Sequence, residues 1–270
     1  MSLTHPFAAA VAAVVFCASL GAQTLVIQPA KAEKTTETRT VPLAAGSSLK
    51  VKNVNGFIHV EAWDREEVQF TGEFKPSSKD EQVKVVIEPG KGSLEIHGEY
   101  PKHQDGVFYR GPQCQMTLKV PRQVSASLDS VNGEVTLTGT QGAAAVGTVN
   151  GGIRATDLAD SLKASTVNGA ITLDRVRGQL SLQTVNGAIK GTGLEGGGKG
   201  LKASTVNGSI HLQTAGLKGR LRATTLNGGI TFNAKGAEQV EVKKHRVTAV
   251  FPGSDQDLNL ETVNGAITLE

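Results

Sequence analysis

The sequence predicts an all-β chain: a β-solenoid, single-stranded and parallel β-helix-like with about 18 residues per coil, preceded by an N-terminal β-rich unit. Three observations carry this expectation. The word Thr166-Val167-Asn168-Gly169-Ala170-Ile171 returns with small changes along most of the 270 residues. Its asparagine falls at Asn132, Asn150, Asn168 and Asn186, three intervals of 18, and then at Asn207, Asn227 and Asn264. Apolar residues two apart recur throughout, and no window holds the sustained 3.6-residue spacing of an amphipathic helix. A fixed period of this size marks stacked units that bury their apolar faces only against their neighbours. Aromatics at 4% and 32 glycines suit such a stack of small and β-branched residues better than an ordinary globular core.

The chain begins with an apolar run, Phe7 to Leu20, that ends in Ala18-Ser19-Leu20-Gly21-Ala22. Residues 1–22 read as a secretory signal peptide cleaved near Ala22, although Met1 to Pro6 carries no Lys or Arg. The run is short for a membrane span, which needs about 20 apolar residues. Val14-Val15-Phe16 before Cys17 does not suit a lipoprotein. Removal of the signal leaves Cys114 as the one cysteine, so no internal disulfide forms, and a small buried hydrophobe is expected there. The expected location is therefore exported: periplasm, cell surface or extracellular.

Residues 23–47 read as a linker and first strand, the strand near Thr38 to Pro42. Residues 48–121 form the N-terminal unit, with strands at Leu49-Val51, Phe57-Ile58-Val60, Val68-Phe70, Val83-Ile87, Leu94-Ile96 and Met116-Leu118-Val120. Turn signals at Asn55-Gly56, Pro76 to Asp80, Pro89-Gly90 and Asp105-Gly106 separate them. Residues 122–270 are the repeat array. After each turn Ile153, Ile171, Ile189, Ile210, Ile230 and Ile267 share one column, followed two residues on by Ala155, Leu173, Gly191, Leu212, Phe232 and Leu269. A second edge carries Val176 and Leu217 with Gly178 and Gly219. The return strands supply Leu162, Leu180, Leu201 and Leu221, then Ala164, Leu182, Ala203 and Ala223, then Thr166, Thr184, Thr205 and Thr225. Two short strands per coil, stacked about 4.8 Å apart, put these columns inside.

In this frame the asparagines Asn132, Asn150, Asn168, Asn186, Asn207, Asn227 and Asn264 are expected to form a structural ladder of side-chain hydrogen bonds between coils. The glycine after each is expected to take a positive φ in a tight turn. The array ends at Ala266 to Glu270, directly after a turn, so the last coil is expected to leave a strand edge open to another chain.

The run Val54-Asn55-Gly56, then Val60-Glu61-Ala62-Trp63-Asp64-Arg65-Glu66-Glu67-Val68, then Leu118-Lys119-Val120-Pro121 and the serial Val-Asn-Gly words resembles the bacterial putative-adhesin family of β-strand repeat proteins, whose biochemical function is unknown. The resemblance covers about Ser48 to Glu270. It implies an exported or envelope-associated β-solenoid and brings no catalytic residues.

Motifs for chemistry are sparse. Gly191-Thr192-Gly193-Leu194-Glu195-Gly196 matches G-x-G-x-x-G but lacks a following helix, and Gly193 to Lys199 approaches a phosphate loop with Gly200 where a metal-binding hydroxyl belongs. His59, His97, His103, His211 and His245 have no metal-ligand spacing, and His103 with Asp105 is too small a group for a site. Between Gln141 and Lys235 only Asp157, Asp160, Asp174 and Glu195 are acidic, which disfavours a paired-carboxylate glycosidase. No enzyme, cofactor or metal is expected. The formal charge of +3 implies no nucleic-acid partner.

The same span holds eleven basic residues. Lys163, Lys202 and Arg222 share a column interrupted by Ser181, with Arg177 and Lys218 beside it and Arg175 and Arg220 close by. Their ordinary role is to keep a repetitive β surface soluble and unpaired; their sharper one is a stripe for an anionic polymer, such as envelope polysaccharide or lipid headgroups. Glu66, Glu67, Glu73, Asp80, Glu81 and Glu88 polarise charge toward the N-terminal unit. The expected function is an exported, non-enzymatic adhesive or structural envelope module. The alternative is a scaffold that self-associates through the solenoid ends, and a carbohydrate-active enzyme ranks below both.

Overall fold

The computed structural model describes residues 23–29, 34–77, 82–101, 111–195 and 200–270. The predicted signal peptide, part of the predicted Pro76 to Asp80 turn, His103 with Asp105, the predicted Asp105-Gly106 turn and residues 196–199 lie outside them. Before the regular repeats come β1 (Leu25–Ile27), β2 (Thr35–Pro42), β3 (Ser48–Lys52), β4 (Ile58–Trp63), β5 (Glu67–Lys75), β6 (Lys84–Gly90), β7 (Ser93–Glu99) and β8 (Gln113–Pro121). The repeats supply β9 (Ser125–Asp129), β10 (Val135–Thr138), β11 (Ala144–Asn150), β12 (Ile153–Leu158), β13 (Leu162–Asn168), β14 (Ile171–Val176), β15 (Leu180–Asn186), β16 (Ile189–Thr192), β17 (Leu201–Asn207) and β18 (Ile210–Leu212). Then follow β19 (Gly219–Asn227), β20 (Ile230–Phe232), β21 (Glu238–Lys243), β22 (Arg246–Phe251), β23 (Asp257–Asn264) and β24 (Ile267–Leu269). The described residues contain no helix.

The strands form two large, mostly parallel sheets. One has thirteen strands in the order β1-β6-β7-β3-β9-β11-β13-β15-β17-β23-β19-β22-β21, and the other has eleven in the order β2-β5-β8-β4-β10-β12-β14-β16-β18-β24-β20. Through the repeats the chain passes from one sheet to the other at each Asn-Gly corner and back at a second corner, a solenoid-like path with two strands per coil. Register is set by the aliphatic columns: Leu162 pairs with Leu180, Leu180 with Leu201, Ile153 with Ile171 and Ile171 with Ile189. A slip of one residue would turn every one of these side chains to solvent. The inner positions, Leu, Ile, Ala and Thr alike, are buried, except that Ile230 and Phe232 of β20 are only partly so, and the apolar ones form one continuous core. Each wholly buried Leu or Ile contributes about 1.5–3 kcal/mol.

Antiparallel strands close the N-terminal end of both sheets and the far end of the thirteen-stranded sheet, while the eleven-stranded sheet ends on β20, parallel to β24. β5 pairs with β2 and β8, and β6 with β1 and β7; at the other end β22 pairs with β19 and β21. β1 lies in the segment read as linker, where three apolar residues are too few to register as periodicity. The N-terminal strands continue the two sheets directly, because β3 pairs with β9 and β4 with β10.

Two expectations are overturned. The first is the order of the coils: β23 lies between β17 and β19, and β24 between β18 and β20. The copy at Asn264 is therefore internal, the copy at Asn227 is the terminal one, and β24 offers no open edge. The second is the role of the corner glycines. Gly133, Gly151, Gly169, Gly187, Gly208, Gly228 and Gly265 do not adopt the left-handed conformation; of these corners only Gly56 does, with φ +124°. Each instead lies against the backbone of the coil below: a Cβ on Gly169 would sit 1.9 Å from the Gly151 carbonyl oxygen, and one on Gly187 1.9 Å from that of Gly169. Close approach, not φ, requires glycine here.

Candidate functional site

The Asn corner is built from three stacked columns. Asn132 Nδ2 donates to Asn55 Oδ1, Asn150 to Asn132, Asn168 to Asn150, Asn186 to Asn168 and Asn207 to Asn186, each at 2.9 Å. Asn264 donates to Asn207 at 2.8 Å and Asn227 to Asn264 at 2.9 Å. The first rung, Asn55, escaped the sequence reading because 77 residues separate it from Asn132, although Val54-Asn55-Gly56 spells the repeat word. Behind the asparagines, buried threonine hydroxyls donate to the glycine carbonyls of the coil below: Thr148 to Gly133, Thr166 to Gly151, Thr184 to Gly169, Thr205 to Gly187, Thr262 to Gly208 and Thr225 to Gly265, at 2.9–3.1 Å. In the first coil Asn53 takes this place: its amide donates to Gly56 O and Cys114 O, and Tyr100 Oη donates to its Oδ1 at 2.6 Å. Burial pushes the Tyr100 phenol above its usual range and the Cys114 thiol up to about 12.

Between threonine and asparagine, Val54, Val131, Val149, Val167, Val185, Val206 and Val263 point outward, each 37–40% exposed, and Leu226 ends the row at 66%. They edge the outer face of the thirteen-stranded sheet. The next outward column is polar and carries two carboxylates: in register it runs Asp129, Gly147, Ser165, Gln183, Ser204, Glu261 and Thr224. Beyond it, in register, come Ala145, Lys163, Ser181, Lys202, Asn259 and Arg222. The face is thus a shallow trough with an aliphatic wall, a polar floor and a basic wall. Two hollows lie along it: about 400 Å³ over Ser204, Thr224, Glu261 and Leu226, and about 550 Å³ over Lys52, His97, Asp129 and Val131.

The predicted basic stripe divides in two. Lys163, Lys202 and Arg222 occupy the trough wall with no carboxylate partner among the described residues; inserted β23 adds Asn259 to Ser181 as a second spacer, so they stand two strands apart, about 9.6 Å. Arg175 and Arg177 instead belong to the second corner and are paired. Arg175 Nε and Nη2 donate to the Asp157 carboxylate at 2.6 and 3.0 Å, Arg175 also meets Asp174, and Arg177 meets Glu195 at 2.8 Å. Its hydrogen bond to Arg175 holds the Asp157 carboxyl below the usual aspartate range. Arg220 lies 3.6 Å from Asp257 and donates to Asp255 O, while the Lys218 stem covers Gly253.

Among the described residues, no group of three or more His, Cys, Asp or Glu is placed to hold a metal ion. At the larger hollow Ser130 Oγ and His97 Nδ1 are buried and each lacks a hydrogen-bond partner, so they are not joined in a nucleophile–base pair. Lys50 and Lys52 both meet Glu95 of that hollow, the Lys50 pair part-buried.

No protein-family model matches the sequence and no curated protein does. Solved structures similar in fold include a putative cell adhesion protein from Clostridium sporogenes, with 14% identity, 88% of this chain and 99% of that one covered, and a TM-score of 0.41. A putative adhesin from Bacteroides fragilis has 12% identity, coverage of 88% and 97%, and a TM-score of 0.32. A putative lipid binding protein from Parabacteroides distasonis has 14% identity, coverage of 87% and 96%, and a TM-score of 0.31. At such identities and TM-scores these similarities assign no function.

Proposed function

We propose that this chain is an exported, non-enzymatic β-solenoid of the putative-adhesin kind, and that it binds an anionic surface polymer, such as envelope polysaccharide, along the outer trough of the thirteen-stranded sheet. The observation that carries the reading is the contrast among its basic residues. Arg175, Arg177 and Arg220 are spent on carboxylates or backbone, whereas Lys163, Lys202 and Arg222 share one outward column and form no ion pair among the described residues, the nearest strand carboxylate, Glu261, standing in the adjacent column. A linear polymer with a charge at every second sugar residue matches cations two strands apart, and the aliphatic wall covers the apolar side of its rings.

Retention of the purified chain on an immobilised acidic polysaccharide tests this. The wild type is expected to bind at low salt and elute as salt screens the contacts. Lys202→Glu with Arg222→Glu is expected to abolish retention, while Lys190→Glu on the opposite sheet leaves it intact. Unchanged retention of the double variant overturns the reading.

A further inference from the structure

We propose that the slot between β17–β18 and β19–β20 is an exchange site, and that the partner it fits is the β23–β24 segment of a second copy of this chain. The slot is an unusual feature of the path. Strand β18 ends at Leu212 and β19 begins at Gly219, yet they are held one full coil apart by residues that come much later in the sequence. Residues 213–218 therefore span two strand spacings, about 9.6 Å, and leave a gap that 257–270 fills.

What fills it is a repeat unit with no individuality. Thr262 to Leu269 has the same eight residues as Thr166 to Leu173, and the slot wall Leu201 to Gly208 has the same eight as Leu162 to Gly169. Leu258 sits between Leu201 and Leu221, Asn264 between Asn207 and Asn227, and Ile267 between Ile210 and Ile230, in the register used by every other coil. The fixing contacts are equally generic. Thr262 donates to Gly208 O, Thr225 donates to Gly265 O, and Asn264 joins the ladder on both sides. Leu258, Leu260, Ile267 and Leu269 are buried, and the backbone of Glu270 is clasped between Leu212 and Thr214.

An empty slot would leave β17 and β19 with unpaired ladders and an exposed aliphatic floor, a template for any strand of this pattern. The same segment from another copy restores every contact. The closed and exchanged forms then differ by hinge geometry and concentration alone, the condition under which domain exchange is cheap. The hinge is the segment 252–256, Pro-Gly-Ser-Asp-Gln, with Gly253 at φ +105°.

The test uses the full chain, warmed at high concentration to just below its unfolding midpoint, cooled, and sized by chromatography with light scattering. A dimer is expected. Excess synthetic peptide of residues 257–270 during warming is expected to replace it with a one-to-one monomer–peptide complex. The same peptide carrying Gly265→Val, whose side chain would enter the 1.9 Å space at Gly208 O, is expected to compete at least about tenfold less well. A chain that neither dimerises nor takes up peptide overturns the proposal, and so does a dimer on which the two peptides act alike.

Discussion

The two corners of the coil solve the same problem with opposite chemistry. At the Asn corner the chain turns without a left-handed glycine from Gly133 onward, its glycines are packed onto the backbone below, and neutral amides and hydroxyls bond from coil to coil. At the second corner the turn residue is left-handed: Gly139 at φ +79°, Asp157 at +54°, Arg175 at +51° and Gly193 at +59° form one column. There the coils are joined by exposed ion pairs, Arg175 to Asp157 and Arg177 to Glu195. One corner is fixed by steric exclusion, part-buried threonine bonds and exposed asparagine bonds, and its sequence hardly varies. The other has room for side chains and tolerates Gly, Asp and Arg in turn. A repeated word therefore marks where backbone meets backbone, and variation marks where the surface is free to take on other work.

The sharpest way to break this contrast is to put a side chain at the Asn corner. Gly169→Val drives carbon into the Gly151 carbonyl, which no rotamer change relieves, and is expected to cost about 3 kcal/mol or more, read by urea or thermal unfolding. Next comes Thr166→Val, nearly isosteric, which leaves the Gly151 carbonyl without its hydroxyl donor; about 2 kcal/mol is expected by the same measurement. Asn168→Ala removes two rungs on the exposed side, and about 1 kcal/mol is expected, with no dependence on salt.

The smallest effect belongs to the second corner. Arg175→Gly keeps the left-handed turn and loses only screened charge pairs, so its unfolding midpoint is expected to match the wild type in high salt and to fall slightly below it in low salt. The pH dependence has a definite sign. The folded Asp157 carboxyl titrates below its unfolded value because Arg175 hydrogen-bonds it, so its contribution is present above about pH 4 and is lost as pH falls through the folded value. Acid unfolding profiles of wild type and Arg175→Gly should therefore converge below that pH. A glycine variant as damaging as Gly169→Val would erase the distinction between the corners.

The inner half of the structure was legible in the sequence because two-residue periodicity and an 18-residue repeat are one-dimensional signals. Leu162, Ala164, Thr166 and Ile171 occupy the columns their spacing predicts. The glycine role was misread because Asn-Gly has two physical explanations, a left-handed turn and a close approach, that only the neighbouring coil distinguishes. The coil order was misread because sequence order stands in for spatial order by default. One hint was present: terminal units of a stack are atypical. The Asn227 copy, with Leu226 and Phe232 in place of smaller residues, departs from the pattern more than the Asn264 copy does. Of the basic residues, periodicity placed Lys163, Lys202 and Arg222 in one column, but which arginines were paired depended on side chains from adjacent coils.

The asparagine ladder also has a direction. Every amide NH₂ from Asn132 to Asn227 donates toward the Asn55 end, and the threonine hydroxyls beside it donate in the same sense. Such a row behaves as a line of aligned dipoles, each polarising the next. Its two ends are chemically unlike: the Asn227 end presents an amide oxygen and the Asn55 end an amide nitrogen. Reversing one amide would set oxygen against oxygen on one side and hydrogen against hydrogen on the other, so the row holds its orientation as a unit.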